Sequence, residues 1–202
     1  WEEPEKVAKL IQIMKIKHAV ITSVDRDDLT DMGSIIWAET IKSIRRLNPG
    51  ITLETLIPDF QGIKKHLDRI IAVKPEVISH NIETVERLTR EVRIQARYSR
   101  SLDVLKYLKS SGVNRTKSGL MLGFGESEDE VIKTIHDLRN ANVDVLTIGQ
   151  YLQPSKKHLQ VKNFIKPEIF KKYETIALDL GFIHVESGPL VRSSYKAQKH
   201  IN

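Results

Sequence analysis

The stretch His18-Ala19-Val20-Ile21-Thr22-Ser23-Val24-Asp25-Arg26-Asp27-Asp28-Leu29 decides how the chain is read. Its first four residues are an apolar run of the buried-strand type. The next eight hold three acids, one Arg and two hydroxyls. A parallel α/β protein puts its chemistry where a buried strand breaks into such a loop. Taken alone, the stretch reads as a strand end whose Asp residues cap the next helix. Four later strands that also end in polar residues change that reading.

Working outward, residues 3–15 read as a helix with Val7, Leu10, Ile11 and Met14 on one face, and Pro4 suits its first turn. After the strand at 18–24, a helix over 34–47 groups Trp37, Ile41, Ile44 and Leu47. Asn48-Pro49-Gly50 ends it. A strand over 51–57, a helix over 62–73 and a short strand over 77–81 follow. Helices are expected at 83–94 and 101–111, with Gly112 as the stop of the second. Leu120-Met121-Leu122 is the next strand. Ser127 and Glu130 form a capping box for the helix carrying Val131, Ile135 and Leu138. A strand over 145–148, a helix opened by Pro167 and a strand over 183–185 complete the alternation. Regular alternation without a linker or a long repeat implies one α/β domain with a parallel sheet over 1–202, with a C-terminal tail over 187–202 that carries RSSY at 192–195 and is polar and basic from Arg192. Polar endings after every strand favour a (β/α) barrel or partial barrel over a doubly wound sheet, which concentrates its site at one switch point.

Composition sets bounds. The chain has 202 residues, 40% hydrophobic and 29% charged, which is ordinary for a domain with a sizeable core. No apolar run approaches the roughly 18 residues of a membrane span. Trp1-Glu2-Glu3-Pro4-Glu5 is acidic, unlike the basic lead of a signal peptide. The expected location is therefore the cytoplasm, or a mitochondrial or plastid matrix. The net charge is +6, but the basic residues are dispersed and no basic-aromatic cluster marks a nucleic-acid face. A solvated basic surface accounts for the charge, and neither nucleic acid nor a membrane is expected as a partner. Zero Cys excludes disulfides and thiolate metal sites within these residues. The seven His show no HxH or HxxxH pair, so they do not point to a His-held metal.

Six motifs run in order along the chain: TSVDRDDL at 22–29, SHNIET at 79–84, VRIQARYSRSL at 92–102, KSGLMLGFGE at 117–126, TIGQYLQPS at 147–155 and SGPLVRSSYKA at 187–197. In order and spacing they resemble lipoyl synthase, a family of radical S-adenosylmethionine (SAM) enzymes, from about Val20 to Ala197. The resemblance implies an α/β fold of the radical SAM type, a partial (β/α)6 TIM-like barrel missing its first strand. It implies a sulfurtransferase that makes a radical from SAM and inserts two sulfur atoms at C6 and C8 of a protein-bound octanoyl group, forming the lipoyl cofactor. The implied partner is an octanoylated lipoyl carrier domain or a glycine-cleavage H-type protein. The implied cofactors are SAM and two 4Fe–4S clusters, each held by a three-cysteine motif toward the N-terminus. This chain departs there: it has no Cys, and Trp1 stands just after the place where the second motif would end. The 202 residues alone are accordingly expected to be inactive.

Strand ends supply anchors for a zwitterionic amino acid, a ribose and an adenine. Asp25 and Asp28 suit an ammonium, and Thr22 and Ser23 add hydroxyls. Asn81 and Glu83 suit a ribose diol. Arg93 and Arg97 suit a carboxylate held by two prongs. Gly123 and Gly125 allow close backbone approach, and Glu126 follows at a helix start. Gln150 and Tyr151 can bond to and stack on adenine. Lys117 opens the fourth motif and is placed with the cofactor-binding residues. The family's serine ligand to the auxiliary cluster maps onto Ser193. Each residue alone also has a structural use as cap, turn or ion pair; agreement of five strand ends on one ligand favours the site. Two alternatives remain open: a metal-free barrel lyase or aldolase using Lys117 as Schiff-base nucleophile, and a basic nucleic-acid-binding module.

Overall fold

Six strands, β1 (His18–Thr22), β2 (Thr52–Leu56), β3 (Val77–Ser79), β4 (Arg115–Leu122), β5 (Val145–Gln150) and β6 (His184–Gly188), lie side by side in chain order. Every neighbouring pair is parallel. This is a computed structural model, and it describes residues 2–201; Trp1 and Asn202, the outermost residues of the expected domain, lie outside it. Parallel neighbours need a crossover between them. α1 (Glu3–Ile13) precedes β1, and the crossovers carry α2 (Ser34–Leu47), α3 (Lys64–Ala72), the single turn α4 (Thr89–Val92), α5 (Tyr98–Ser110), α6 (Glu128–Asn140) and α7 (Pro167–Asp179). Among the described residues β1 and β6 each pair on one side only, so the parallel barrel is open, in line with the partial barrel that the resemblance implies.

Side chains alternate across each strand. One face packs against the helices: Leu53, Ile78, Leu120, Leu146 and Ile148 are buried there with Ile41, Ile44, Ile70, Leu105 and Ile135. Each such burial contributes on the order of 1.5–3 kcal/mol. The other face lines the interior and is polar: Glu54, Ser79 and Lys117 meet there. Helix starts obey local rules. The Ser127 hydroxyl accepts from Glu130 N at 3.3 Å, and the Glu130 carboxylate accepts from Ser127 N at 2.8 Å. That pair satisfies two otherwise orphaned donors.

Three expectations are corrected. Leu10 and Met14 are exposed (57% and 60%), because α1 packs on α2 through Pro4, Ala8 and Ile11. Residues 83–94 are not one helix; they form a turn at Glu86–Leu88 and the short α4. Glu83 instead joins β4, with Glu83 N on Gly119 O at 2.9 Å and Met121 N on Glu83 O at 2.8 Å. The third concerns β4, which starts at Arg115 rather than Leu120. Its polar first half is buried because each side chain finds a partner: the Ser118 hydroxyl accepts from Ile82 N, and Lys117 pairs with Glu54.

Candidate functional site

A cavity of about 530 Å³ opens at the carboxyl ends of the strands, within the range usual for small-molecule sites. Asn81 and Glu83 from the end of β3, Arg93 after α4, Gly119 of β4, Thr147 and Gly149 of β5, and Ser193 of the tail meet at its wall. A side chamber of about 170 Å³ shares Leu56, Asn81, Glu83 and Arg93, and adds Thr22, Ser23 and Asp25 from the loop after β1. Five strand ends and the tail thus converge, as placement at a barrel's carboxyl rim requires.

Asn81 is the centre. Its Nδ2 donates to Glu83 Oε1 at 3.1 Å, while its buried Oδ1 has no partner among the described residues. An unsatisfied buried acceptor costs about 1–3 kcal/mol, so it persists where something else repays it. Arg93 donates to the Asn81 carbonyl at 3.1 Å and fixes the strand end from behind. A Cβ on residue 119 would sit 2.7 Å from Asn81 Oδ1, which makes glycine necessary there. Glu83 holds φ at 67°, a left-handed conformation that non-glycine residues adopt at a cost. Burial raises its carboxyl above the ordinary value, against hydrogen bonding from Asn81 and the charge of Arg93. Asp25 is also raised, by burial first, with Arg93 opposing and Asp59 and Asp27 adding to the shift. His80 points the other way: burial lowers it to about 4, and it bridges Ile57 O and the Ser101 hydroxyl as a neutral ring. That bridge fixes β3 just before Asn81.

Several expected ligand groups are otherwise engaged. Gln150 lines the cavity, but its amide donates to Leu122 O and Asn163 O and accepts from Ile165 N at 2.9 Å. It binds the long loop after β5 to the sheet. Tyr151 stacks on Phe124 with centroids 4.1 Å apart, and its hydroxyl donates to Leu159 O at 2.8 Å. Only one face of its ring is left. Gly123 serves packing, since a Cβ there would lie 2.3 Å from Gln150 Nε2; Gly125 sits at φ 93° beside Lys162. The Glu126 carboxylate accepts from Gly123 N and Phe124 N and folds its own loop.

Gly123, Gly125 and Glu126 thus shape the loop beside the cavity without lining it, and three further residues are not brought to it. Asp28 is exposed and paired with Arg26 at 2.7 Å. Arg97 is exposed and bonds the carbonyls of Ile94 and Ala96. Lys117 lies deeper, fully buried, 2.8 Å from Glu54 Oε1. Burial lowers its pKa and Glu54 opposes the shift. A Schiff-base lysine needs access to substrate, and this one lines no cavity described here, which removes the basis of the aldolase alternative. Sequence reading missed the apolar wall of Leu56, Met121, Leu152 and Val191, and also Thr147. For Leu56, Met121 and Thr147 the signal is the period of two along β2, β4 and β5, counted from Glu54, Lys117 and Gly149.

The site suits SAM on its own geometry. An orphaned acceptor, a buried carboxylate and an arginine gather beside two side-chain-free strand positions, Gly119 and Gly149. Residues 1–138 match the Radical SAM superfamily, and the barrel with its cavity at the carboxyl rim is of that class. A solved structure of HydG, a maturase of the FeFe-hydrogenase, shares the fold: TM-score 0.69 at 14% identity, covering 98% of this chain and 52% of that one. Lipoyl synthase of Flavobacterium psychrophilum is 73% identical over all of this chain and 69% of its own length. The mitochondrial lipoyl synthase of Nematostella vectensis is equally close, over the same shares. This chain belongs to the lipoyl synthase family.

Proposed function

We propose that this chain forms the barrel of a lipoyl synthase that inserts two sulfur atoms, at C6 and C8, into an octanoyl group carried on a protein. The observation that carries the reading is the unpartnered Asn81 Oδ1 beside strained Glu83, in a cavity that Leu56, Met121, Leu152 and Val191 also line. The polar corner suits SAM, and Leu56, Met121, Leu152 and Val191 suit a saturated acyl chain. SAM, when bound and given one electron by an iron–sulfur cluster, would supply hydrogen-atom abstraction. The chain's own residues bind, orient and exclude water. Asn81 and Glu83 accept from ribose hydroxyls, Thr22, Ser23 and Asp25 receive the ammonium, and Arg93 holds the carboxylate.

Iron–sulfur clusters do not fit on these residues alone, because cluster ligation rests on several thiolates and the chain has no Cys. The thiolates then come from outside the 202 residues, and these residues alone are inactive. Reconstitution with iron and sulfide should give no stoichiometric cluster absorbance; a full cluster load would refute this. Ser193, at the cavity wall, is the proposed oxygen ligand to the auxiliary, sulfur-donating cluster. A hard oxygen ligand leaves one iron more easily displaced. The net charge of +6 suits an acidic carrier, a lipoyl domain or H-type protein, met in the cytoplasm or an organelle matrix. No helix among the described residues is long and apolar enough to cross a membrane. In the complete protein, Ser193→Ala should leave SAM cleavage largely intact and stop sulfur insertion. Lipoyl product at the normal rate would overturn the assignment of Ser193.

A further inference from the structure

The tail after β6 is seated at two points. The first lies at the rim. The Val191 carbonyl occupies the space a side chain on residue 149 would need, 2.2 Å from where its Cβ would be, so only Gly149 admits it. Arg192 Nη1 reinforces this seat by donating to Val191 O at 2.9 Å. The second point is inside the barrel. The tail ends in a 3-10 turn, Ala197–Ile201, that carries His200 to full burial. There His200 Nδ1 lies 3.2 Å from Lys117 Nζ, and Lys117 is in turn 2.8 Å from Glu54 Oε1. Because an ammonium can only donate, Nδ1 takes the acceptor role toward Lys117, and the buried Nε2 has no partner among the described residues. Ser79 completes the group by donating to Glu54 Oε1 at 2.7 Å. The turn also lies against β1, so the tail runs from one edge strand of the open sheet to the other.

Between the two seats the backbone is a series of tight turns. Tyr195 N bonds Arg192 O at 2.8 Å, Ala197 N bonds Ser194 O at 3.3 Å, and Lys199 N bonds Lys196 O at 2.9 Å. Lys196 Nζ adds a tie to Glu186 on β6 at 3.2 Å. A segment so short and so bonded transmits a displacement at one end to the other.

We infer that His200 is an internal latch: seated on the Lys117–Glu54 pair, it holds the tail so that Ser193 stays at the cavity wall. His200 is thus a positioning residue, acting through the tail and touching no substrate. The functional half rests on the role proposed for Ser193; the structural half does not.

Hydrogen exchange and turnover in the complete protein test both halves. His200→Leu keeps much of the volume and removes the acceptor. His200→Asn places an oxygen close to the position of Nδ1. In His200→Leu, exchange at the amides of Tyr195, Ala197 and Lys199 should rise about ten- to hundredfold, the range a lost hydrogen bond to a charge allows. SAM cleavage should continue while sulfur insertion falls at least about tenfold, and His200→Asn should restore both protection and insertion. Unchanged exchange in His200→Leu overturns the latch. Raised exchange with normal insertion overturns the link to Ser193. A His200→Leu protein that fails to fold moves the test to His200→Asn, where tail exchange as fast as in the denatured chain would refute the latch. Failure of the Ser193 reading itself would show separately, as an active Ser193→Ala enzyme.

Discussion

The floor and the mouth of this barrel both carry polar and charged residues and differ in how those residues are partnered. On the floor, Glu54, Lys117, Ser79 and Nδ1 of His200 bond one another and are closed to solvent, and His200 Nε2, which faces no cavity, is the atom there without a partner among the described residues. At the mouth, Asn81 Oδ1 has no partner among the described residues and Glu83 sits in a strained conformation. A buried charge is thus no sign of a ligand when its neighbours already satisfy it. A polar atom left unsatisfied beside a cavity is such a sign, since its desolvation has to be offset by something that binds. Lys117 shows the cost of missing this distinction: an interior lysine on a barrel strand looks catalytic until its partner is seen.

The sharpest way to break the comparison is to unpair the floor. Lys117→Met leaves Glu54 buried without a counter-charge, and removing one partner of a buried pair typically costs about 3–5 kcal/mol. Urea unfolding of the complete protein should show a loss of that order. The double variant Lys117→Met/Glu54→Leu should recover part of it, because two apolar groups need no pairing although Ser79 and His200 lose theirs. A single variant that loses less than about 1 kcal/mol would mean that the floor is wetter than its geometry indicates.

The mouth should respond in the opposite sense. Asn81→Ala removes an acceptor that the protein itself leaves unused. We expect it to change stability little, while SAM affinity in the complete protein falls by about 1–3 kcal/mol, measured by titration calorimetry. Glu83→Ala should show the same split. Unchanged affinity in both variants, with a loss of stability, would make the mouth a second floor.

How much of this was legible in the sequence follows from the physics of each part. The order of strands and helices was, because hydrophobic period and capping residues act locally: Ser127 with Glu130, and Pro167, mark helix starts that the structure keeps. Residues 83–94 were not. The helix expected there gives way at its start to a long-range pairing of Glu83 with β4 that no local pattern encodes. The rim residues were legible as a set, since they end strands. Depth was not. Lys117 and Gly119 are two positions apart on one face of β4, yet one is on the floor and the other at the mouth. Only the strand register decides that. His200 was invisible for a related reason: a polar tail carries no signal that its far end turns back into the barrel.

The smallest expected effect is also the finest probe of the mouth. Burial raises the Glu83 carboxyl above its ordinary value of 4.5, with the Asn81 bond and Arg93 opposing. The folded protein therefore holds this proton more tightly than the unfolded chain. Its stabilising contribution is complete below the ordinary carboxylate value and is lost as pH rises through the raised value. At neutral pH the ionised group opposes folding. Glu83→Gln keeps a partner for Asn81 and removes the charge. The variant should thus be more stable than the parent at pH 7 without ligand, and the gap should close as pH falls below about 4.5. Unfolding midpoints of both proteins across that window measure it. SAM should narrow the gap at pH 7 if the carboxylate is reserved for the ribose, since only the parent then regains a bond for its charge. A variant less stable than the parent at pH 7 would show instead that Arg93 dominates and that Glu83 is already paired, which would move it from the mouth's unsatisfied set to the floor's satisfied one.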